Sequence, residues 1–462
     1  MNDFQKTAKE MLDFIEKSPT CFHAAANIGE LLTAAGFEEL KETAEWNLKR
    51  GRRYYVRRND SSVIAFVLPT EEKKIRGFHM AAAHSDSPCF KIKEKPELTV
   101  EEHYVRLNTE KYGGMILSTW LDRPLSVAGR LAVKGESGIE SRLVNIDRDL
   151  CVIPNVAIHM NREMNKGVEY NPQVDMLPLF ADVTFDAHNA YDAHNAYDAH
   201  NAYDAHNASE NVEEQPEIVE KPTLATLVAE AAGVDAETIF GEDLFLYTRQ
   251  EGKMIGARGE FVLSPRLDDL QSAFALTKAF TESTPAEYIN LCAVFDNEEV
   301  GSGTRQGADS TFLEDTLQRI TESLQESRST YLRWVADSFL ISADNAHAVH
   351  PNHPEKADPT NRPYLNGGIV IKYHGSQKYT TDGISAAKMK DYCERAKVPY
   401  QTYANRSDIA GGSTLGNIST AHVSVSSVDI GLPQLAMHSA VETAGMMDTE
   451  YAVRALKEFW GE

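Results

Sequence analysis

Apolar positions in the first forty residues recur at helical spacing. Phe4, Ala8, Met11, Leu12 and Ile15 share one helical face, Ser18-Pro19-Thr20 interrupts, and Ala24 to Ala35 gives a second helix. Continuous apolar runs then predict strands at Arg53 to Arg57, Val63 to Leu68 and Phe78 to Ala83. From about residue 96 the pattern changes to short β-type runs between turns, at Tyr104 to Leu107, Leu125 to Val133 and Arg142 to Ile146. Alternation of helix and strand resumes near residue 250. Leu270 to Phe280 reads as a helix, Tyr288 to Phe295 as a buried strand, and Thr311 to Trp334 as one long amphipathic helix. Phe339 to Ala343, Ile369 to Tyr373 and Val423 to Ile430 read as strands, and Ala440 to Trp460 as a final helix. Buried strands between helices predict an α/β fold with a mainly parallel sheet covered on both faces. The expected division is a domain of residues 1–95 and 250–462, interrupted by a β-rich insertion of residues 96–249.

With 462 residues, 42% hydrophobic and 25% charged, the chain is long enough for a substantial core, and disorder throughout is excluded. The formal net charge of −23 disfavours nucleic acid and anionic membrane as partners. No apolar run approaches the roughly 18 residues of a membrane span, and the N-terminal stretch lacks an apolar signal core. Cys21, Cys89, Cys151, Cys292 and Cys393 are scattered without a C-x-x-C pair, which suits a reducing compartment. A cytoplasmic location is expected.

Residues 186–208 repeat Asp-Ala-His-Asn-Ala four times at a six-residue period, with His188, His194, His200 and His206. On a helix such histidines spiral around the axis. On a strand they stand about 20 Å apart, at ~3.3 Å per residue. Neither form chelates one ion, and the expected reading is a flexible surface loop, with weak many-site metal adsorption as the alternative.

Acids and histidines concentrate in five segments: His84-Ser85-Asp86-Ser87-Pro88, Arg266-Leu267-Asp268-Asp269, Asp296-Asn297-Glu298-Glu299, Asp344-Asn345-Ala346-His347 and Met437-His438-Ser439. Four of them closely follow a predicted strand, and open α/β sheets form their sites at strand carboxyl ends. His84, Asp268, Glu299, Asp344 and His438 would suit two divalent metals, since imidazole favours zinc-like ions and carboxylates harder ones. If Asp268 bridges, two dications and three carboxylates leave one positive charge, which a bridging hydroxide cancels. Asp86 is placed to accept the second ring N–H of His84. Glu298 and Glu299, adjacent in extended backbone, would point to opposite sides, one ligating and the other, Glu298, serving as general base. Nucleophile-elbow, phosphate-loop, dinucleotide and H-E-x-x-H signatures are absent.

These residues resemble the aspartyl aminopeptidases and their bacterial relatives, within the wider clan of di-metal aminopeptidases. The likeness runs from Ser18-Pro19-Thr20-Cys21-Phe22-His23 through Tyr112-Gly113-Gly114, Trp120-Leu121-Asp122-Arg123-Pro124 and Ala128-Gly129-Arg130 to the five segments above. The resemblance implies a metallopeptidase α/β domain interrupted by a β-rich dimerisation domain. It implies two metals, usually zinc and sometimes cobalt or manganese, on His84, Asp268, Glu299, Asp344 and His438, with Asp86 and Glu298 as the catalytic pair. It implies dimers assembled into a homo-dodecamer, in which His159 reaches a neighbouring subunit's site. Lys372, Lys378 and Arg406 lie in segments similar to the substrate-binding region, and Gly411-Gly412 looks like a pocket wall. The family name implies a preference for N-terminal Asp or Glu.

The expected function is removal of the N-terminal residue from short peptides, a bridging hydroxide attacking the carbonyl while Glu298 shuttles the proton. The alternatives are a di-metal hydrolase of another amide, such as an N-acyl amino acid, and a non-catalytic binding protein on the same scaffold.

Overall fold

Three sheets of nine, six and five strands organise the computed structural model, which describes residues 1–183, 223–409, 411, 412 and 414–462. The 186–208 repeat lies outside the described residues. In spatial order the nine strands are Glu38–Leu40, Arg53–Arg58, Ser62–Val67, Tyr288–Phe295, Gly77–His84, Phe339–Ala343, Ser426–Gly431, Ile369–Tyr373 and Tyr400–Ala404. Five of the eight pairings are parallel and three antiparallel.

Side chains alternate across this sheet, as the two-residue period of a strand requires. Ala81 and Ala83 enter a core with the helices Asp3–Glu16, Cys21–Ala34, Leu267–Thr281 and Asp448–Trp460. Phe78, Met80 and Ala82 enter a second core with Phe312–Ser323, Arg328–Ala336 and Leu415–His422. Burial on both faces explains why these central strands read as unbroken apolar runs.

The six-stranded sheet contains Cys89–Val100, Tyr104–Tyr112, Leu125–Gly135, Gly138–Asn145, Leu179–Asp182 and Ile239–Thr248, paired antiparallel throughout. Its first strand begins at Cys89, so the expected boundary at 95/96 falls inside a strand. The helix Leu224–Ala232, absent from the expected pattern, packs Leu224 and Val228 into this sheet's core. Arg130 ties the sheet to the larger one. Its Nη1 donates to the Asn59 carbonyl at 2.7 Å, its Nε donates to Asp243 at 3.0 Å, and its guanidinium lies 4.3 Å from the Phe22 ring centroid.

Two expected helices differ. Thr311 to Trp334 divides into Phe312–Ser323 and Arg328–Ala336, because Gln325 takes φ +58°, which a continuing helix does not allow. Within Ala440 to Trp460 a strand, Glu442–Gly445, precedes the helix Asp448–Trp460. That strand belongs to the five-stranded sheet with Phe261–Ser264 and Pro433–Leu435. Val423 ends the helix Leu415–His422, and its strand starts only at Ser426. Among the described residues no helix is long and apolar enough to cross a membrane.

Candidate metal centre

The strands Tyr288–Phe295, Gly77–His84 and Phe339–Ala343 are neighbours and parallel, so their carboxyl ends lie side by side. His84 ends the middle strand, Asp296 to Glu299 follow the first, and Asp344 follows the third. The five-stranded sheet delivers the other two groups. Asp268 follows the strand Phe261–Ser264, and His438 follows Pro433–Leu435 in a turn where it takes φ +67°.

The side chains converge on Asp268. Its Oδ1 lies 3.6 Å from His84 Nε2, which is 3.9 Å from Asp344 Oδ1. Its Oδ2 lies 3.4 Å from His438 Nε2, which is 3.4 Å from Glu299 Oε2. Ligand atoms of His84, Asp268 and Asp344 all lie within 4.8 Å of one another, as do those of Asp268, Glu299 and His438. Two triads therefore share one carboxylate. The buried oxygens Asp268 Oδ1 and Glu299 Oε1 accept no hydrogen bond, a costly state for buried acceptors that a cation relieves. Imidazole and carboxylate donors, three to a triad, leave coordination positions open and fit catalytic zinc.

The electrostatics agree. Burial opposes charge on the His84 ring, yet Asp268, Asp344 and Asp86 hold its pKa well above the usual value. Burial likewise opposes charge on His438, while Asp268 and Glu299 raise it to about 10. Burial and the Asp268 charge push Glu299 well above the usual carboxylate range. Burial also pushes Glu298 up to about 7, against the pull of His84. Protons held in this way mark a place where a dication would displace them.

Asp86 serves chiefly the backbone. The nearer acceptor for His84 Nδ1 is the Asp86 main-chain carbonyl, at 3.0 Å, with the carboxylate at 3.4 Å. The carboxylate accepts the N–H groups of Glu298 and Glu299, each at 3.1 Å, and the Tyr112 hydroxyl at 2.8 Å. Glu298 and Glu299 lie on a 3₁₀ turn after Asn297 at φ +63°, not on extended chain. Both still face the centre, since their ligand atoms lie within 4.8 Å of each other and of His84's. Gly113 passes close to this turn at φ +77°, where a Cβ would stand 3.2 Å from Glu299 Cβ. The tight approach accounts for the Tyr112-Gly113-Gly114 motif.

The pocket residues divide. Lys372 is buried, its Nζ 3.5 Å from Asp344 Oδ2 and 5.4 Å from the Tyr379 ring centroid. Lys378 donates to the Gly411 carbonyl at 2.7 Å. Gly411 and Gly412 lie between the strand Tyr400–Ala404 and the helix Leu415–His422. Arg406 is directed elsewhere, pairing with Asp408 at 2.7 Å and the Glu355 carbonyl at 2.6 Å. His159 sits on an exposed turn of the β-rich region beside exposed Val156, Ile158 and Met160.

Several contributors escaped the sequence reading. Tyr112 donates to Asp86, Asp269 accepts the His84 N–H at 3.2 Å, and Glu442 accepts the N–H groups of Asp268 and His438. Tyr112 was visible only as part of a motif. Asp269 and Glu442 act on backbone, which demands no residue spacing.

Known proteins resemble this chain in sequence and fold. The family model for the Aminopeptidase I zinc metalloproteases (M18) matches residues 14–460. A probable M18 family aminopeptidase 2 of Clostridium novyi is 46% identical over 459 residues, covering 98% of each chain. The cryo-EM structure of the Ape4 and Nbr1 complex contains a chain 35% identical, with a TM-score of 0.89, covering 99% of this chain and 86% of that one. The mApe1 dodecamer of S. cerevisiae is 25% identical, with a TM-score of 0.78, covering 99% and 97%. With the family match spanning every segment of the centre, the chain belongs to the M18 family of zinc metalloproteases and is an aminopeptidase that releases N-terminal amino acids from peptides.

Proposed function

We propose that the enzyme works with two divalent ions, one on His84, Asp268 and Asp344 and the other on Asp268, Glu299 and His438. The observation that carries this reading is Asp268, whose two oxygens face His84 at 3.6 Å and His438 at 3.4 Å. Zinc is the metal of the family, and cobalt or manganese would suit the same donors. Such ions polarise a scissile carbonyl and lower the pKa of water toward 7. The chain's own groups do the rest. Glu298 takes the proton of the attacking water and returns it to the leaving nitrogen. Asp86 fixes the turn that carries Glu298 and Glu299.

A preference for N-terminal Asp or Glu is part of the proposal. Its support is Lys372, a buried cation beside Asp344. The test is hydrolysis of aminoacyl p-nitroanilides of Asp, Glu, Leu, Met, Lys and Ala by metal-reconstituted protein. Each is run with and without chelator, beside an N-acetylated control. Chelator-sensitive cleavage of free-amine substrates, fastest for Asp and Glu, is expected. Cleavage of the acetylated control would favour an N-acyl amino acid hydrolase instead. Fewer than two ions per subunit and no cleavage would favour a binding role.

The same reading extends to assembly. The S. cerevisiae relative was solved as a dodecamer, and a dodecamer built from dimers is proposed here, with the β-rich region 96–249 forming the dimer contact and His159 reaching a neighbouring subunit. Exposed Val156, Ile158 and Met160 around His159 support such a contact. Five free cysteines suit a cytoplasmic location.

A further inference from the structure

We propose that Glu442 is a positioning residue for the metal centre, a single buried carboxylate that clasps the backbones of two ligands and sets the separation of the triads. Its Oε2 accepts the Asp268 N–H at 3.0 Å, and its Oε1 accepts the His438 N–H at 2.8 Å. The inference rests on the two-ion reading of Asp268 and His438 given above.

Both N–H groups need an outside acceptor. Asp268 lies inside the stretch Leu267–Thr281 but has φ −83° and ψ 107°, which is not helical. It is the second residue of that stretch, so its N–H has no acceptor within the helix, and the residue is only 3% exposed. A buried N–H without a partner is rare and costly. His438 sits at φ +67°, two residues after Ala436 at φ +57°, in a turn whose sparsely populated backbone persists only when its surroundings hold it. Glu442 is 2% exposed and is the first residue of the strand Glu442–Gly445, anchored by antiparallel pairing opposite Ser264. The clasp is thus mounted on a sheet rather than on the loop it holds.

The geometry makes a specific demand. The shared Asp268 serves both triads only if the His438 turn stays in register with the start of the Leu267–Thr281 stretch. The Asp268 and His438 side chains meet each other at 3.4 Å, and Glu442 holds the two backbones themselves, with one oxygen for each. Both its oxygens bond to backbone N–H groups, so its effect passes through the ligands.

The experiment compares wild type, E442Q, E442D and H438A as full-length protein. Metal is removed and zinc is titrated back, with content per subunit measured after dialysis against a competing chelator. Thermal midpoints are recorded with and without zinc. E442Q keeps the shape but offers one acceptor and turns an NH₂ toward an N–H. It should bind zinc about 10–100-fold more weakly at one site, the scale found for groups that orient metal ligands. It should also gain less thermal stability from zinc, and lose kcat with little change in KM, with partial recovery at high zinc. E442D keeps both acceptors on a shorter arm, so an intermediate loss is expected, and it carries the test if E442Q does not fold. A folded E442Q or E442D with wild-type zinc affinity and an unchanged zinc-induced thermal shift overturns the inference. H438A separates the two readings. If it keeps both ions, the ligand assignment fails before the role of Glu442 is at issue.

Discussion

Lys372 is a buried cation 3.5 Å from Asp344, and its length and charge make separable contributions. K372M keeps most of the stem and removes the charge. A charge-assisted hydrogen bond contributes about 1.5–3 kcal/mol, or roughly 10–150-fold. The expected result is a fall of that order in kcat/KM for Asp and Glu substrates relative to Leu and Met, read from the same p-nitroanilide panel. E298Q should lower kcat by about 10²–10⁴-fold, the usual contribution of general acid–base catalysis, while zinc content and KM hold. His79 tests a different property. Burial lowers its pKa to about 4, and its ring stacks on Tyr288 at 3.7 Å between centroids. The native ring stays neutral while the unfolded one charges below about 6.5. The stability tied to neutral His79 is therefore complete above 6.5 and lost as pH falls toward 4, by up to about 3 kcal/mol. H79F keeps the stack and should flatten that limb of the melting temperature against pH. At this scale the candidate ligands were legible because metal chemistry restricts such residues to His, Asp and Glu at strand ends. Glu442 and Asp269 were not, because a carboxylate that accepts backbone N–H can come from any element that passes by.

Elements were legible where one period dominated. Tyr288–Phe295 and Gly77–His84 are apolar on both faces and read as strands directly. The break at Gln325 was not legible, since a single positive φ in a polar residue leaves the amphipathic pattern of Thr311 to Trp334 intact. Gly129 shows the opposite case, a sequence feature whose reason is visible only in the sheet. It stands between Val144 and Leu244 in the six-stranded sheet, and a Cβ there would overlap the Asp243 carbonyl. G129A should force the strands Leu125–Gly135 and Ile239–Thr248 apart and destabilise the fold by about 1–3 kcal/mol, as overpacking does. Thermal unfolding checks it. The same displacement would loosen the bond from Arg130 to Asp243.

Across the whole molecule, the α/β class and the β-rich interruption followed from where helix and strand periods alternate and where they stop. The three antiparallel seams in the nine-stranded sheet did not, because strand direction depends on partners far apart in the chain. Nor did the five-stranded sheet, whose strands are as short as two residues. Yet that small sheet leads into Asp268 and His438, two of the five residues of the triads, and contains Glu442, which bonds to both.

His438 is fastened from two directions. Glu442 takes its N–H, while the β-rich side supplies the Gly114 carbonyl to its Nδ1 at 2.8 Å and the Ile116 N–H to its carbonyl at 2.9 Å. Thr119 adds a bond to Ala440 N at 2.9 Å. Thermodynamic linkage then applies: whatever free energy an ion gains from a well-seated His438, the Gly114–Thr119 segment gains from the ion. Subunit contacts resting on the β-rich side would share in that exchange. Chelation should therefore loosen the assembly, seen as smaller species in sedimentation velocity, and subunit association should tighten zinc by the same factor.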